Sequence, residues 1–324
     1  MWKVEVDGKN ILFHSICIFL SIAIALGAAE LVLRSMTMSS GTGAGKLGQR
    51  WVAENWKPIN SLNYRDYEPS GKHDKDGILF VGDSFTAGYG VGFTESYYYL
   101  AKQRLREKYE SFNVGRPGAA TRGELKNYLE YKQKYNIIPR LVVLQYMGDI
   151  DEYVRPPEWK PNIVLRKLGE YSEIVNLINT VVTYKKLGAR YFNNVFAAYR
   201  DEKTWDLHRH DLALFFETVH KDEAAMILLI FPFLTNDYID ESATYVSKLK
   251  EFFQSACGKG DVLIDVTPLA LSIPESERIV NAMDAHPSRR LHAALGELIA
   301  RTIADSKDRI EAADVHQVHR CQPD

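Results

Sequence analysis

Three short stretches of this chain carry residues that could share nucleophilic chemistry. The first is Gly82-Asp83-Ser84, which ends the apolar run Ile78–Val81. Glycine permits a tight turn there. Ser84 would then project from a strand-to-helix junction, where helix N–H groups face any negative charge that forms. Taken alone, the same serine is equally an N-cap. The second stretch, Asn113-Val-Gly115-Arg-Pro-Gly118, follows the next apolar run. A glycine loop in that place can offer a backbone N–H to an oxyanion; alone it is a turn. The third, Asp284-Ala-His286-Pro287-Ser288, precedes a C-terminal helical pattern. Histidine suits the removal of a proton from a serine hydroxyl near neutral pH. Asp284 can hold the imidazole tautomer and stabilise imidazolium. His208 and His210 read as surface or packing residues, and the remaining histidines have no metal-ligand spacing. The chemistry needs neither metal nor cofactor.

These pieces lie far apart in sequence, so a fold must bring them to one rim. Ile78–Val81, Phe112–Val114, Leu141–Tyr146, Met226–Phe231 and Val262–Val266 read as strands. Several are continuous Val/Ile/Leu runs, as expected where both sheet faces are covered. Amphipathic stretches alternate with them: Glu95–Tyr109, Arg122–Tyr135, Tyr238–Ala256 and Ser288–Ala304. The alternation predicts an α/β domain with a central parallel sheet between two helical layers. Such sheets place their sites at the carboxyl ends of strands. Residues 152–212 break the rhythm with Pro156-Pro157 and Pro161, then Ile163–Ile178 and the Tyr-rich Tyr184–Tyr199. They read as a helical insertion whose aromatics pack, and it could also cover a cleft.

In order and spacing, the three blocks resemble the SGNH (GDSL-type) hydrolase family across residues 60–300. The resemblance implies a three-layer, flavodoxin-like α/β/α fold. It makes Ser84 the nucleophile, His286 the base and Asp284 its orienting acid. The N–H groups of Ser84 and Gly118 would bind the oxyanion. Asn60-Ser-Leu-Asn-Tyr-Arg65-Asp66, Ile230-Phe-Pro232 and Ile264-Asp265-Val-Thr-Pro268 resemble segments of membrane-anchored bacterial members. One block departs from the pattern. Where the family carries Asn-Asp and that asparagine donates to the oxyanion, this chain reads Met147-Gly148-Asp149-Ile150-Asp151. Either Asp149 stands in place of the asparagine, or a residue is missing and Asp149 matches the second letter. Losing one such donor typically costs about 2.7–4 kcal/mol, and an ionised carboxylate would repel the oxyanion as well.

The flanks set the context. Ile11 to Ala29 contains no Asp, Glu, Lys or Arg, and its length lies in the range of roughly 17–25 residues that spans a bilayer. It reads as an anchor. A cleaved signal sequence is the rival, because Gly27-Ala28-Ala29 offers small residues to a peptidase, and a buried core helix is the third reading. Lys3 and Lys9 precede the stretch, and Glu30 and Arg34 follow; the weak bias puts the domain on the extracytoplasmic side. Residues 31–59 are expected as a linker, their small, Gly-rich part running from 35 to 50. Gly43-Ala44-Gly45-Lys46 fails as a phosphate loop, since Ser40 holds the first glycine's place and Leu47 that of the magnesium-binding hydroxyl. Residues 306–324 are expected to fray as a charged tail. Of three cysteines, Cys257 and Cys321 could bridge in an oxidising compartment. A net charge of −2 in 324 residues gives no general pull toward nucleic acid. The expected function is a membrane-anchored esterase acting on acyl esters of a glycan, lipid or small molecule. An acyltransferase with the same triad and a silent binding domain are its rivals.

Overall fold

The computed structural model describes residues 8–40, 45–71, 74–154, 162–304 and 317–321. Lys3, Gly43, Ala44, Pro156, Pro157, Pro161 and most of the tail lie outside the described residues.

Five strands form the parallel sheet: β1 (Asp76–Gly82), β2 (Tyr109–Gly115), β3 (Pro139–Tyr146), β4 (Ala225–Ile230) and β5 (Val262–Asp265). Their spatial order is β2-β1-β3-β4-β5, the flavodoxin-like order. Alternate residues serve opposite faces. Leu79, Val81, Val142, Leu144, Met226 and Leu228 enter one core, which the helices Thr121–Tyr135, Glu202–Lys221 and Ala243–Ala256 cover. Ile78, Phe80, Val143, Ile227, Leu229 and Ile264 enter the other, under the helices Tyr97–Leu105 and Arg289–Ala304. A short hairpin, β6 (Ile279–Asn281) and β7 (Asp284–Pro287), carries the third chemical block. The order reverses around β1, and Ser84 follows β1 at that switch point, where ligands bind in open α/β sheets.

The insertion comprises the helices Ile163–Tyr171 and Glu173–Arg200, and a third helix, Glu202–Lys221. The third continues nine residues past the expected end at 212, because Phe215, Phe216 and Val219 pack on the sheet as its crossover to β4.

Two expectations are corrected. The linker is largely folded. Gly45–Asn55 is a helix that buries Leu47, Gly48 and Trp51, and Lys46 N–H donates to Asn176 Oδ1 at 3.0 Å. Arg50 donates to Glu173 and to the Met36 and Leu33 carbonyls. Composition suggested flexibility, but contacts with residues more than 100 positions away order the segment. The tail is also not wholly frayed. Val318–Arg320 forms β8, antiparallel to β5, and Cys321 is bonded to Cys257. This edge strand has three residues, too few for a sequence pattern.

Among the described residues one helix, Gly8–Ser35, is long and apolar enough to cross a membrane. Residues 11–35 are almost wholly exposed on the domain's outside. That exposure removes the reading as a buried core helix.

Candidate active site

The fold brings Ser84, His286 and Asp284 together. Ser84 Oγ lies 2.8 Å from His286 Nε2. His286 Nδ1 is in hydrogen-bonding contact with Asp284 Oδ1, which also accepts from the His286 backbone N–H at 3.0 Å. Asp284 is buried, whereas the His286 side chain remains 17% exposed. The imidazole sits between Phe85 and Tyr89, with ring centroids 5.4 and 5.6 Å away.

Each position has a local cause. After β1, Asp83 caps a single helical turn, Ser84–Ala87, its carboxylate accepting from Phe85 N–H at 2.7 Å. The turn ends at Gly88, whose φ of 74° favours glycine. Gln145 Oε1 on β3 accepts from Asp83 N–H and Thr86 Oγ1, both at 3.1 Å. Buried Arg65 donates to the carbonyls of Ala87, Gly88, Val91 and Asn55. Asn113 Nδ2 reaches the Thr86 carbonyl at 3.2 Å. Thus Asn60–Asp66 and the second block hold the turn that carries Ser84 from two sides. Gly115 packs so tightly on that turn that an added Cβ would lie 2.5 Å from Ala87 N.

Gly118 sits in an exposed turn, Arg116–Ala119, with φ of 76°. Arg116 N–H donates to the Gly82 carbonyl at 2.9 Å, tying the turn to the end of β1. Asp149 is buried, and Oδ1 accepts from Met147 N–H at 3.4 Å. Burial first, then Glu124 and Asp83, push its carboxyl well above the usual range, which disfavours the ionised form there. Gly148 has φ of 72°, and a Cβ there would meet Phe233 Cζ at 2.9 Å. Aromatic bulk thus occupies the direction in which a side chain at 148 would leave the backbone.

Burial and Asp284 act oppositely on His286. Burial works against a charged His286, but the Asp284 carboxylate outweighs it and raises the imidazole above 6.5. Burial opposes ionisation of Asp284 too, yet His286 and its hydrogen bonds hold it at about 2. His292 is different: burial lowers it to about 3, and Nδ1 accepts from Tyr97 N–H at 3.1 Å. Buried His208 contacts the Tyr146 hydroxyl at 2.6 Å and packs within the insertion, while His210 is exposed. No cluster of metal-ligating side chains occurs among the described residues.

Sequence reasoning placed one feature only loosely and missed another. A cavity of about 130 Å³ adjoins His286, walled by Phe85, Met147, Tyr184, Tyr191, Phe192 and Phe233. Three of these come from the insertion helix Glu173–Arg200, whose aromatics therefore both pack and face the site. The second is Ser40, which is buried and donates from Oγ to Asp284 Oδ2 at 2.7 Å. Its neighbour Ser39 donates to the Gly90 carbonyl and accepts from Asn281 Nδ2, both at 2.7 Å. Nothing in local composition marks Ser40.

The fold and the site define a flavodoxin-like α/β domain with a serine, histidine and aspartate aligned at the switch point of its sheet. In fold and in block order the chain is SGNH-like. No family model and no curated protein matches the sequence. Solved structures similar to it include a lipase/acylhydrolase from Enterococcus faecalis, 16% identical, covering 73% of this chain and 100% of that one at a TM-score of 0.45. A psychrotrophic esterase from Pseudoalteromonas is 14% identical, with 71% and 97% covered at 0.43. A member of the lipolytic protein G-D-S-L family from Veillonella parvula is 12% identical, with 72% and 99% covered at 0.43.

Proposed function

We propose that this chain is a membrane-anchored serine esterase of the SGNH type that hydrolyses short acyl esters. The observation that carries the reading is the line from Ser84 Oγ through His286 to Asp284. His286 Nε2 takes the Ser84 proton as Oγ bonds to the ester carbonyl carbon. The N–H groups of Ser84 and Gly118 receive the oxyanion. The tetrahedral species then breaks its bond to the alkoxy oxygen, and His286 returns the proton to that leaving alcohol. Water, deprotonated by His286, attacks the acyl carbon; its bond to Ser84 Oγ breaks, His286 returns the proton to Oγ, and the acid leaves. Asp284 stabilises the imidazolium in both halves. The helix Gly8–Ser35 would hold the domain at the membrane, and the Cys257–Cys321 bond favours an oxidising, extracytoplasmic setting.

A fluorophosphonate probe applied to a membrane fraction tests the reading. Covalent label is expected on the peptide containing Ser84, and an unlabelled, folded protein would overturn it. Free acid as the product marks hydrolysis, whereas an acylated acceptor would mark transfer.

The cavity beside His286 is smaller than the ~300–1,000 Å³ of sites for drug-sized ligands. In a nitrophenyl ester series, kcat/KM should therefore peak at acetyl to butyryl and fall for dodecanoyl. A preference for the long chain would mean that the acyl group lies elsewhere.

Only neutral His286 can accept the proton. Because its folded pKa is raised, the imidazolium persists to higher pH, and activity should be lost as pH falls through a midpoint above 6.5. A kcat/KM profile with its acid limb below 6.5 would contradict the assignment of His286 as base.

A further inference from the structure

The amphipathic helix Ile163–Tyr171 keeps its apolar side uncovered. Ile163, Val164, Leu168 and Tyr171 are 61%, 64%, 52% and 77% exposed. In a water-soluble domain a helix gains stability by burying such a stripe. Here the buried residue is Gly169, which packs on the backbone of Asn176. Arg166 and Lys167 are exposed on the same helix.

The position of this helix says what covers it. The elbow at Ser172, between this helix and Glu173–Arg200, is clamped to the end of the long apolar helix. Glu30 accepts from Ser172 Oγ and from the N–H groups of Glu173 and Ile174. Arg34 Nη2 donates to the Tyr171 carbonyl at 2.7 Å. Residues 11–29, at about 1.5 Å per residue, span roughly 28 Å, close to the ~30 Å of a bilayer's hydrocarbon. Glu30 then falls at the hydrocarbon edge, and the elbow falls with it. Every residue of Ile163–Tyr171 lies within about 14 Å of that elbow along the helix. Ile178, one to two turns beyond the elbow on the next helix, is also 55% exposed.

We infer that the Ile163–Tyr171 helix is a second membrane contact, with its apolar side chains in the headgroup and upper acyl region of the bilayer that the N-terminal helix crosses. Arg166 and Lys167 suit anionic headgroups at that depth. The contact rests on the reading of residues 11–29 as a membrane span. With two contacts the domain does not swing on a tether. It is held in one attitude to the surface, and the helix Glu173–Arg200 rises from the elbow to the aromatic cavity.

The test uses the full-length chain with Cys17→Ser, in vesicles containing a fifth of anionic lipid. Single cysteines replace Leu168, Phe19 or Lys259, each labelled with an environment-sensitive NBD dye. Retained fluorophosphonate labelling of Ser84 verifies the fold of each variant. At 168 the emission should shift to the blue and be quenched most by lipids carrying a shallow nitroxide. At 19 it should be quenched most by deep nitroxides, and at 259 by neither. Water-like emission at 168 with quenching at 19 overturns the inference and leaves the anchor standing. A blue shift at 168 without lipid quenching also overturns it, because protein, such as a second copy, then covers the helix. Absence of quenching at 19 overturns the anchor itself, and the inference with it.

Discussion

Ser84→Ala should abolish turnover of acetyl and butyryl esters, with kcat falling by roughly 10⁴–10⁶, as when the nucleophile of a comparable triad is removed. The hydroxyl is the only atom of this residue that bonds to carbon in the proposed step, and no neighbour can substitute. Tyr89 and Thr86 carry the nearest hydroxyls in sequence. Thr86 is buried and engaged with Tyr97 and Gln145, and the burial-raised Tyr89 is a poor nucleophile. The substitution removes one oxygen from a partly exposed turn. Asp83 capping, the Gln145 bond and the Arg65 contacts all use other atoms. The melting temperature should therefore match the parent, and the fluorophosphonate label should vanish. A stable Ser84→Ala protein that turns over ester at the parental rate removes Ser84 from the chemistry.

Asp284→Ala should lower kcat by about 10⁴, close to the cost of losing the acid in a comparable triad. Two effects combine. The imidazole loses the partner that fixes its tautomer, and the imidazolium loses its counter-charge. The pH profile separates this from a loosened fold. The carboxylate is what raises His286 above 6.5 against burial. Without it burial prevails, and the acid limb of the residual activity should move to lower pH. Asp284→Asn should cost less, because of Ser40. An amide oxygen can face His286 while the amide N–H₂ donates to the Ser40 hydroxyl, which rotates to accept. Asp284→Asn combined with Ser40→Ala removes that arrangement, so the pair should lose more than the sum of the single losses. Additive effects would show that Ser40 does not orient residue 284.

Much of the fold was legible because its signals are local. Continuous runs such as Leu141–Tyr146 and Met226–Phe231 have no stable alternative to a strand covered on both faces, and every end of the five strands lies within three residues of expectation. The blocks at 84, 113–118 and 284–286 were legible because turn glycines and titratable residues cluster where strands end. What stayed hidden depends on distance. Ser39, Ser40 and the helix Gly45–Asn55 are ordered by partners at 90, 176, 281 and 284. Val318–Arg320 is held by β5 and by the bond to Cys257. The raised carboxyl of Asp149 follows from burial beside Glu124 and Asp83, a grouping that only the assembled sheet creates.

The bond from Ser40 to the triad acid bears on how the protein is produced. A soluble recombinant version begun at residue 60, where the hydrolase-like pattern starts, would carry Ser84, His286 and Asp284 yet lack a hydroxyl that steadies the last of them. It would also lack Trp51 and the Asn55 carbonyl that Arg65 grips. Ester turnover measured on such a fragment should fall below that of the whole chain, and a start near residue 36 is the shorter form that retains these contacts.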